Sequence, residues 1–118
     1  MTIDLKRAYD PPAKSDGRRI LVDRVWPRGI AKDDLQIDAW LKDLAPSTGL
    51  RKWFGHDPTK WDEFKKRYAR ELEQRPEALE GLVEKARAGH VTLVFGAKDT
   101  EHNNAVALRE HLERRLNS

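Results

Sequence analysis

The stretch HVTLVFGAKDTEHNNAVALREHL constrains the fold of this chain more than any other feature. It joins a short apolar run, Val91–Phe95, to a polar loop, Gly96–Asn104, and then to apolar residues at the spacing of an amphipathic helix. A second apolar run, Ile20–Val22, is typical of strands that are buried on both faces. Strands that alternate with helices favour parallel pairing with crossover connections. The sequence therefore predicts an α/β fold with a small, mainly parallel sheet flanked by helices.

The remaining elements are predicted from alternation, caps and proline positions. TIDLKRAY alternates apolar and polar residues as a strand does, and Arg19–Val25 is the strand that contains the second apolar run. One helix begins after the pair Asp57 and Pro58, which suit an N-cap and a first turn, and another begins at Pro76. Residues 31–46 are ambiguous, because their two aspartates could open a helical turn while the rest could be extended.

The composition narrows the classes of protein to which the chain can belong. With 118 residues, 36% charged and 38% apolar, residues 1–118 are expected to form one folded domain. The chain has no cysteine, which excludes disulfides, thiolate metal sites and cysteine nucleophiles and fits a reducing cytoplasm. Neither a signal peptide nor an apolar run of roughly 20 residues is present, so no membrane contact is expected. The net charge of +3 is weak support for nucleic acid.

The polar loop and the end of the second strand are predicted to meet. In open parallel sheets, ligands bind beyond the carboxyl ends of the strands. The second strand leads to Asp23, Arg24, Trp26 and Arg28, and Val91–Phe95 leads to the loop Gly96–Asn104. If the two strands are neighbours, these side chains share one rim of the sheet, where we expect the functional site.

The residue types in this rim indicate an anion site beside a proton carrier. Guanidinium groups bind phosphate or carboxylate in a bidentate way, and the free amides at a helix start attract anions. An imidazole can move a proton near neutral pH, and a neighbouring carboxylate can orient it. The candidate anion-binding residues are Arg24, Arg28, Gly96, Lys98, Asn103 and Asn104; the candidate catalytic residues are His102 and Asp99; Trp26 and His56 are candidate pocket-lining residues.

Structural explanations compete with these roles. Asp99 or Thr100 could cap the last helix while Gly96 makes the turn. One arginine could pair with Asp23 or Asp99 and brace the loops, which would leave no vacancy for a ligand. Neither a metal nor another cofactor is expected, since the histidines do not form an H-E-x-x-H or H-x-x-H motif.

Four segments together resemble the YeaO-like family of small bacterial proteins: DRVWPRG, WLKDLAPS, LRKWFGHDPTKWDEFKKRYARELE and TLVFGAKDTEHNNAVALREHL. That family is a branch of a larger group known as a domain of unknown function, and the resemblance covers roughly residues 2–116. It implies an α/β fold and no particular reaction. In the wider group the last segment often carries cysteines, in a pattern like LLCxE…CHR. Here Gly96 and Asn103 stand nearby instead, and His102 matches only approximately, so a thiol mechanism does not transfer.

Two classes of function stay open. The chain could be a small or degenerate enzyme on a phosphorylated or carboxylated molecule, although none of its Ser or Thr residues shows the arrangement of an activated nucleophile. Alternatively it could be a non-catalytic module that binds nucleic acid or a protein, although its basic residues are not segregated in sequence. The predicted partner is therefore an unidentified small anion, and the oligomeric state is not predicted.

Overall fold

The computed structural model describes residues 3–117, whose elements follow an α/β order. The strands are β1 (Ile3–Arg7), β2 (Arg18–Leu21), β3 (Ala39–Trp40) and β4 (Val91–Phe95). The helices are α1 (Lys32–Leu35), α2 (Thr48–Phe54), α3 (Trp61–Glu73), α4 (Pro76–Ala88) and α5 (Asn104–Leu116), with 3-10 turns at Lys14–Asp16, Lys42–Leu44 and Pro58–Lys60. Within the described range, the helices are too short or too polar for any of them to cross a bilayer.

The four strands form one parallel sheet with the order β1-β4-β2-β3. Leu93 of β4 lies in register between Leu5 of β1 and Ile20 of β2. The expected parallel pairing of β2 with β4 is confirmed, and so is the α/β class. Because β1, β4 and β2 are adjacent, their carboxyl ends lie side by side at one edge of the sheet.

The main hydrophobic core lies between one face of this sheet and helices α3, α4 and α5. Each helix turns an apolar stripe toward the sheet, because apolar residues three and four positions apart share one helical face. The buried residues of each stripe recur at spacings of three and four in the sequence. They are Phe64, Tyr68 and Leu72 in α3, Leu79, Leu82, Val83 and Ala86 in α4, and Ala105, Leu108 and Leu112 in α5.

The opposite face of the sheet is covered by the α1 turn and irregular chain. Leu21 and Val94, paired in register, point to this face because strand side chains alternate. They pack with Leu35 of α1 and with the half-buried rings of Trp26 and Trp40, which meet edge to face at 5.4 Å between ring centroids. This smaller cluster holds the chain that follows β2 against the sheet.

A buried polar cluster completes this second face. The carboxylate of Asp16 accepts hydrogen bonds from Arg19 Nη1 at 2.7 Å, Lys6 Nζ at 3.1 Å and the Ala13 amide at 2.9 Å. The guanidinium of Arg19 also donates to the carbonyl of Leu35 at 2.8 Å. Burial acts to raise the pKa of Asp16, but the donors around it outweigh burial and hold the pKa below its ordinary value. The cluster therefore fastens β1, β2 and the α1 turn together.

One predicted strand boundary needs correction, one helix was missed, and one ambiguous segment is resolved. β2 ends at Leu21 and not at Val25, because the chain turns away after Val22 donates its amide to the carbonyl of Val94. Helix α2 is not predicted at all, although Ser47 caps it by accepting the amide of Leu50 at 3.1 Å. The ambiguous segment 31–46 resolves into a helical turn, a two-residue strand and a 3-10 turn. The predicted first strand is confirmed at Ile3–Arg7, while its Thr2 lies outside the described residues.

Candidate functional site

The carboxyl ends of β1, β4 and β2 open into a cleft of about 640 Å³. This volume lies within the range of small-molecule sites in proteins. The chain after each of these strands contributes to the lining, and α2 and α3 complete it. The lining includes Tyr9 after β1, Asp23 through Arg28 after β2, Gly96 and Ala97 after β4, and Arg51, Lys52, Phe54 and Phe64 from the two helices. The predicted rim is thus a concave surface.

Asp23 ties the strand ends together at the centre of this cleft. Its Oδ2 accepts the backbone amide of Gly96 at 2.8 Å, and its Oδ1 accepts Nδ2 of Asn104 at 2.9 Å. Its backbone carbonyl accepts Nε1 of Trp40 at 2.7 Å. Burial raises the pKa of Asp23 above its ordinary value, against the opposing effects of Asn104, the Gly96 amide and the charge of Arg51. The carboxylate therefore occupies the donors that the sequence assigned to a ligand.

Four basic side chains share the cleft lining with this carboxylate. Arg24 and Arg28 come from the chain after β2, and Arg51 and Lys52 come from α2. Within residues 3–117, Asp23 is the sole carboxylate of the lining. Arg28, Arg51 and Lys52 are exposed, so a solute can reach them. The cleft thus carries an excess of positive charge, and low-dielectric walls concentrate such a field.

The guanidinium of Arg24 braces the entry to α2. It donates from Nε to the carbonyl of Pro46 at 3.2 Å and from Nη2 to the carbonyl of Ala45 at 3.3 Å. The bracing hypothesis named Asp23 or Asp99 as the partner of an arginine, and the partners of Arg24 are instead two backbone carbonyls. Arg24 is also one of the residues that line the cleft.

Asp99 and His102 form a tight turn before α5. Oδ1 of Asp99 accepts the amides of Glu101 at 2.9 Å and His102 at 3.0 Å, and its Oδ2 lies 3.0 Å from Nδ1 of His102. The two amides hold the pKa of Asp99 below its ordinary value, assisted by the His102 side chain. Trp61 meets the imidazole edge to face at 5.4 Å. His102 lines the cleft, whereas Asp99 is not one of the lining residues.

Asn103, and not Asp99 or Thr100, is the N-cap of α5. Its Oδ1 accepts the amide of Val106 at 2.9 Å, and its Nδ2 donates to the carbonyl of Asp99 at 2.8 Å. An N-cap of this kind satisfies a helix amide that would otherwise lack a partner. Asn103 is buried, so its polar atoms serve the loop and the helix start.

The structure brings most of the candidate residues into one cleft. Lys98 and Asp99 lie outside the lining, and Lys98 is exposed. The amide of Gly96 and the side-chain amides of Asn103 and Asn104 already donate to protein acceptors. The candidates within the lining are Arg24, Trp26, Arg28, His56, Gly96, His102, Asn103 and Asn104.

Sequence reasoning missed Tyr9, Arg51 and Lys52, and it placed Asp23 at the rim only as a possible partner of an arginine. Arg51 and Lys52 were missed because α2 was not predicted. The signal for it is Ser47 after a proline, followed by Leu50 and Phe54 four residues apart on one helical face. Among the residues that the structure describes, three or more histidine or acidic side chains nowhere converge as metal ligands would.

Comparison with known proteins places the chain in a family. A family model described as the "Inactive DUF488-N3 subclade" matches residues 2–118. The chain belongs to this family. It is 45% identical over 112 residues to "Uncharacterized protein YeaO" of Escherichia coli (strain K12), covering 95% of this chain and 97% of that protein. The YeaO-like resemblance is thereby confirmed.

Mycobacteria carry more distant members of the same YeaO-like group. "Uncharacterized protein Mb3100c" of Mycobacterium bovis and "Uncharacterized protein Rv3073c" of Mycobacterium tuberculosis are each 39% identical over 113 residues. Each match covers 96% of this chain and 95% of the relative. None of the solved structures matches the chain.

Proposed function

We propose that this protein binds a small phosphorylated or carboxylated molecule in the cleft and holds it without converting it. The observation that carries the proposal is the charge of the lining, which contains four basic residues, Arg24, Arg28, Arg51 and Lys52, and one carboxylate, Asp23. The exposed guanidinium and ammonium groups would supply the charge-assisted hydrogen bonds that such anions accept. The description of the family as inactive supports binding without turnover.

The donors for the anion would come from side chains and not from the loop amides. Asp23 holds the Gly96 amide and Asn104 Nδ2, so those groups define the cleft floor. Arg51 and Lys52 would then make the contacts that need no rearrangement, because both are exposed on one helix. Arg24 would add a third cation at the cost of part of its bracing contact with Ala45. The lack of cysteine supports a reducing cytoplasm as the place of action.

Proton transfer by His102 is the second candidate function. With Nδ1 held 3.0 Å from Asp99, its Nε2 is the ring nitrogen left for a ligand. Such a pair could exchange a proton with a bound phosphate ester. If turnover of a phosphate ester is found, His102→Gln should abolish turnover and preserve binding. If it preserves turnover, His102 has no such role.

Calorimetry on charge variants of α2 tests the binding proposal. The wild type is titrated with inorganic phosphate, sulfate, acetate and ribose 5-phosphate at low ionic strength. We expect binding of the phosphate compounds at micromolar to millimolar concentration, and at least a tenfold loss in the Arg51→Gln/Lys52→Gln variant. The loss follows because each removed cation takes a charge-assisted contact with it.

A matched control separates a specific site from net charge. Lys66→Gln/Arg70→Gln removes the same charge from exposed positions on α3 outside the cleft. It should bind the probes as the wild type does. Arg24→Ala should weaken binding and also lower the melting temperature, because it loses contacts with two backbone carbonyls. Absence of binding by the wild type at millimolar probe, or equal losses in both double variants, would rule the site out.

A further inference from the structure

The cleft carries apolar surface that an inorganic anion would not use. In the part of the chain that the structure describes, two large hydrophobic side chains are exposed, Tyr9 at 47% and Val25 at 57%. Both of them line this cleft. An exposed apolar surface that coincides with a charged pocket indicates a ligand with an apolar portion and an anionic portion.

Tyr9 is held rigidly although it is exposed. Its hydroxyl donates to the carbonyl of Arg28 at 3.1 Å. The guanidinium of Arg7 lies 5.1 Å from the ring centroid, and its Nε donates to the carbonyl of Ala97 at 2.9 Å. The ring therefore lies beside a fixed cation, its tip is anchored, and 47% of the residue remains exposed. A fixed aromatic ring with a free face loses little entropy when another ring stacks on it.

Trp26 is less suited to this task. Its Nε1 donates to the carbonyl of Ile30 at 2.7 Å, and its ring packs edge to face against Trp40 in the second hydrophobic cluster. Trp26 therefore contributes to the wall, while Tyr9 offers the more accessible ring.

The ring and Arg24 come from strands that are not neighbours in the sheet. Tyr9 follows β1, Arg24 follows β2, and β4 lies between these strands. With neighbouring strands about 4.8 Å apart, the ends of β1 and β2 lie roughly 10 Å apart. A phosphate joined to a planar ring through a sugar is long enough to span these strand ends, whereas a bare phosphate is not.

We propose that the ligand of this cleft is a nucleotide, with its base stacked on Tyr9 and its phosphate held by the cations of α2 and Arg24. This inference rests on the proposed anion site and adds the chemical class of the ligand. Every nucleobase has a π face, so the stacking itself does not select one base. The nucleotide comes either free or as the phosphorylated 5′ end of a nucleic-acid strand, since both present the same base and phosphate.

Calorimetry with paired probes tests the role of Tyr9. AMP and ribose 5-phosphate differ by the base alone, and both are titrated into the wild type, Tyr9→Phe and Tyr9→Ala. We expect AMP to bind the wild type about 5- to 150-fold more tightly than ribose 5-phosphate, the gain from one base stack. Tyr9→Phe keeps the ring and should preserve most of this preference. Tyr9→Ala should abolish the preference, so that AMP and ribose 5-phosphate bind this variant with the same affinity.

The outcomes separate this inference from the anion site. Equal affinities of the wild type for AMP and ribose 5-phosphate overturn the nucleotide assignment and leave the anion site standing. Equal weakening of both probes by Tyr9→Ala, with far-UV circular dichroism unchanged, overturns it as well. Failure of both probes and of inorganic phosphate to bind overturns the anion site itself.

A 5′-phosphorylated oligonucleotide identifies the source of the nucleotide. Binding of AMP with rejection of the oligonucleotide supports a free nucleotide. Tighter binding of the oligonucleotide than of AMP, lost when its 5′ phosphate is removed, supports a strand end. Tight binding that survives removal of the 5′ phosphate and weakens steeply with salt indicates tracking of the phosphate backbone and contradicts the proposal.

Discussion

The carboxylate of Asp23 accepts the backbone amide of Gly96 at 2.8 Å and so joins the chain after β2 to the chain after β4. Its other oxygen accepts Nδ2 of Asn104, which also donates to the carbonyl of Val22 at 3.0 Å. One acidic side chain thus sets the positions of two loops and of the start of α5. The same carboxylate lines the cleft together with four basic residues and offsets one of their four charges.

Replacement of Asp23 should destabilise the fold. Asp23→Ala leaves the Gly96 amide and one donor of Asn104 without their partner, which costs about 1–3 kcal/mol when such groups are buried. Urea melts at pH 7 in phosphate-free buffer measure the loss. A free energy of unfolding equal to that of the wild type would mean that water replaces the carboxylate at no cost.

The stabilising effect of Asp23 should weaken as the pH rises. Burial raises its pKa in the folded protein, so the folded state holds this proton more tightly than the unfolded state does. The stability of the wild type relative to Asp23→Ala should be largest below pH 3.8 and should fall as the pH rises through the folded-state pKa. Paired urea melts from pH 3 to pH 7 give this difference. A difference that grows with pH would contradict the direction of the shift.

The buried pair of Asp16 and Arg19 should contribute far more than an exposed pair of the same spacing. Arg19→Met leaves a buried carboxylate with fewer partners, and breaking such a pair costs about 3–5 kcal/mol. Arg87→Met breaks an exposed i,i+3 pair with Glu84 and should cost less than about 1 kcal/mol. Thermal and urea melts of both variants test this. Similar losses would show that water reaches the inner pair.

Truncation of a buried side chain in the apolar stripe of α3 or α5 should strongly lower the free energy of unfolding. Phe64 is 2% exposed and Leu108 is fully buried, so Phe64→Ala and Leu108→Ala should each cost about 2–5 kcal/mol. Lys65→Ala should cost less than about 0.5 kcal/mol, because its ion pair with Glu110 lies at the surface. Equal losses for all three variants in urea melts would show that the core face of α3 or α5 is misassigned.

Alanine substitutions at Gly17 and Gly29 distinguish the effect of a steric clash on stability from the effect of backbone strain. Both have positive φ, at 64° and 81°, where a side chain costs roughly 1 kcal/mol. A Cβ at Gly17 would lie 2.5 Å from the carbonyl oxygen of His90, whereas a Cβ at Gly29 would have nothing within 4 Å. Gly17→Ala should therefore destabilise the protein clearly more than Gly29→Ala. Equal melting temperatures for the two variants would contradict the close approach of Gly17 to β4.

The sequence by itself determined the elements whose pattern is local. Val91–Phe95 and the stripes of α3, α4 and α5 are encoded by residues a few positions apart, so their spacing alone predicts them. The apolar runs also predicted parallel strands, because such runs are buried on both faces. Local spacing was insufficient to predict α2, which has only 7 residues. Its N-cap Ser47 also donates hydrogen bonds from its amide and its hydroxyl to the carboxylate of Glu71 on α3, a contact that local sequence does not reveal.

The composition of the cleft was decided by the tertiary structure. The order β1-β4-β2 brings Tyr9 and Asp23 beside Gly96, although 73 residues separate Asp23 from Gly96 in the chain. The sequence indicated that polar groups gather at the loop after β4, but not that Asp23 takes up its first amide. Arg51 and Lys52 reach the cleft only through the packing of α2 on α3. Side-chain partners at such separations depend on how the elements pack in three dimensions. The periodicity of a single segment reports only which of its residues share a face, so it does not predict that packing.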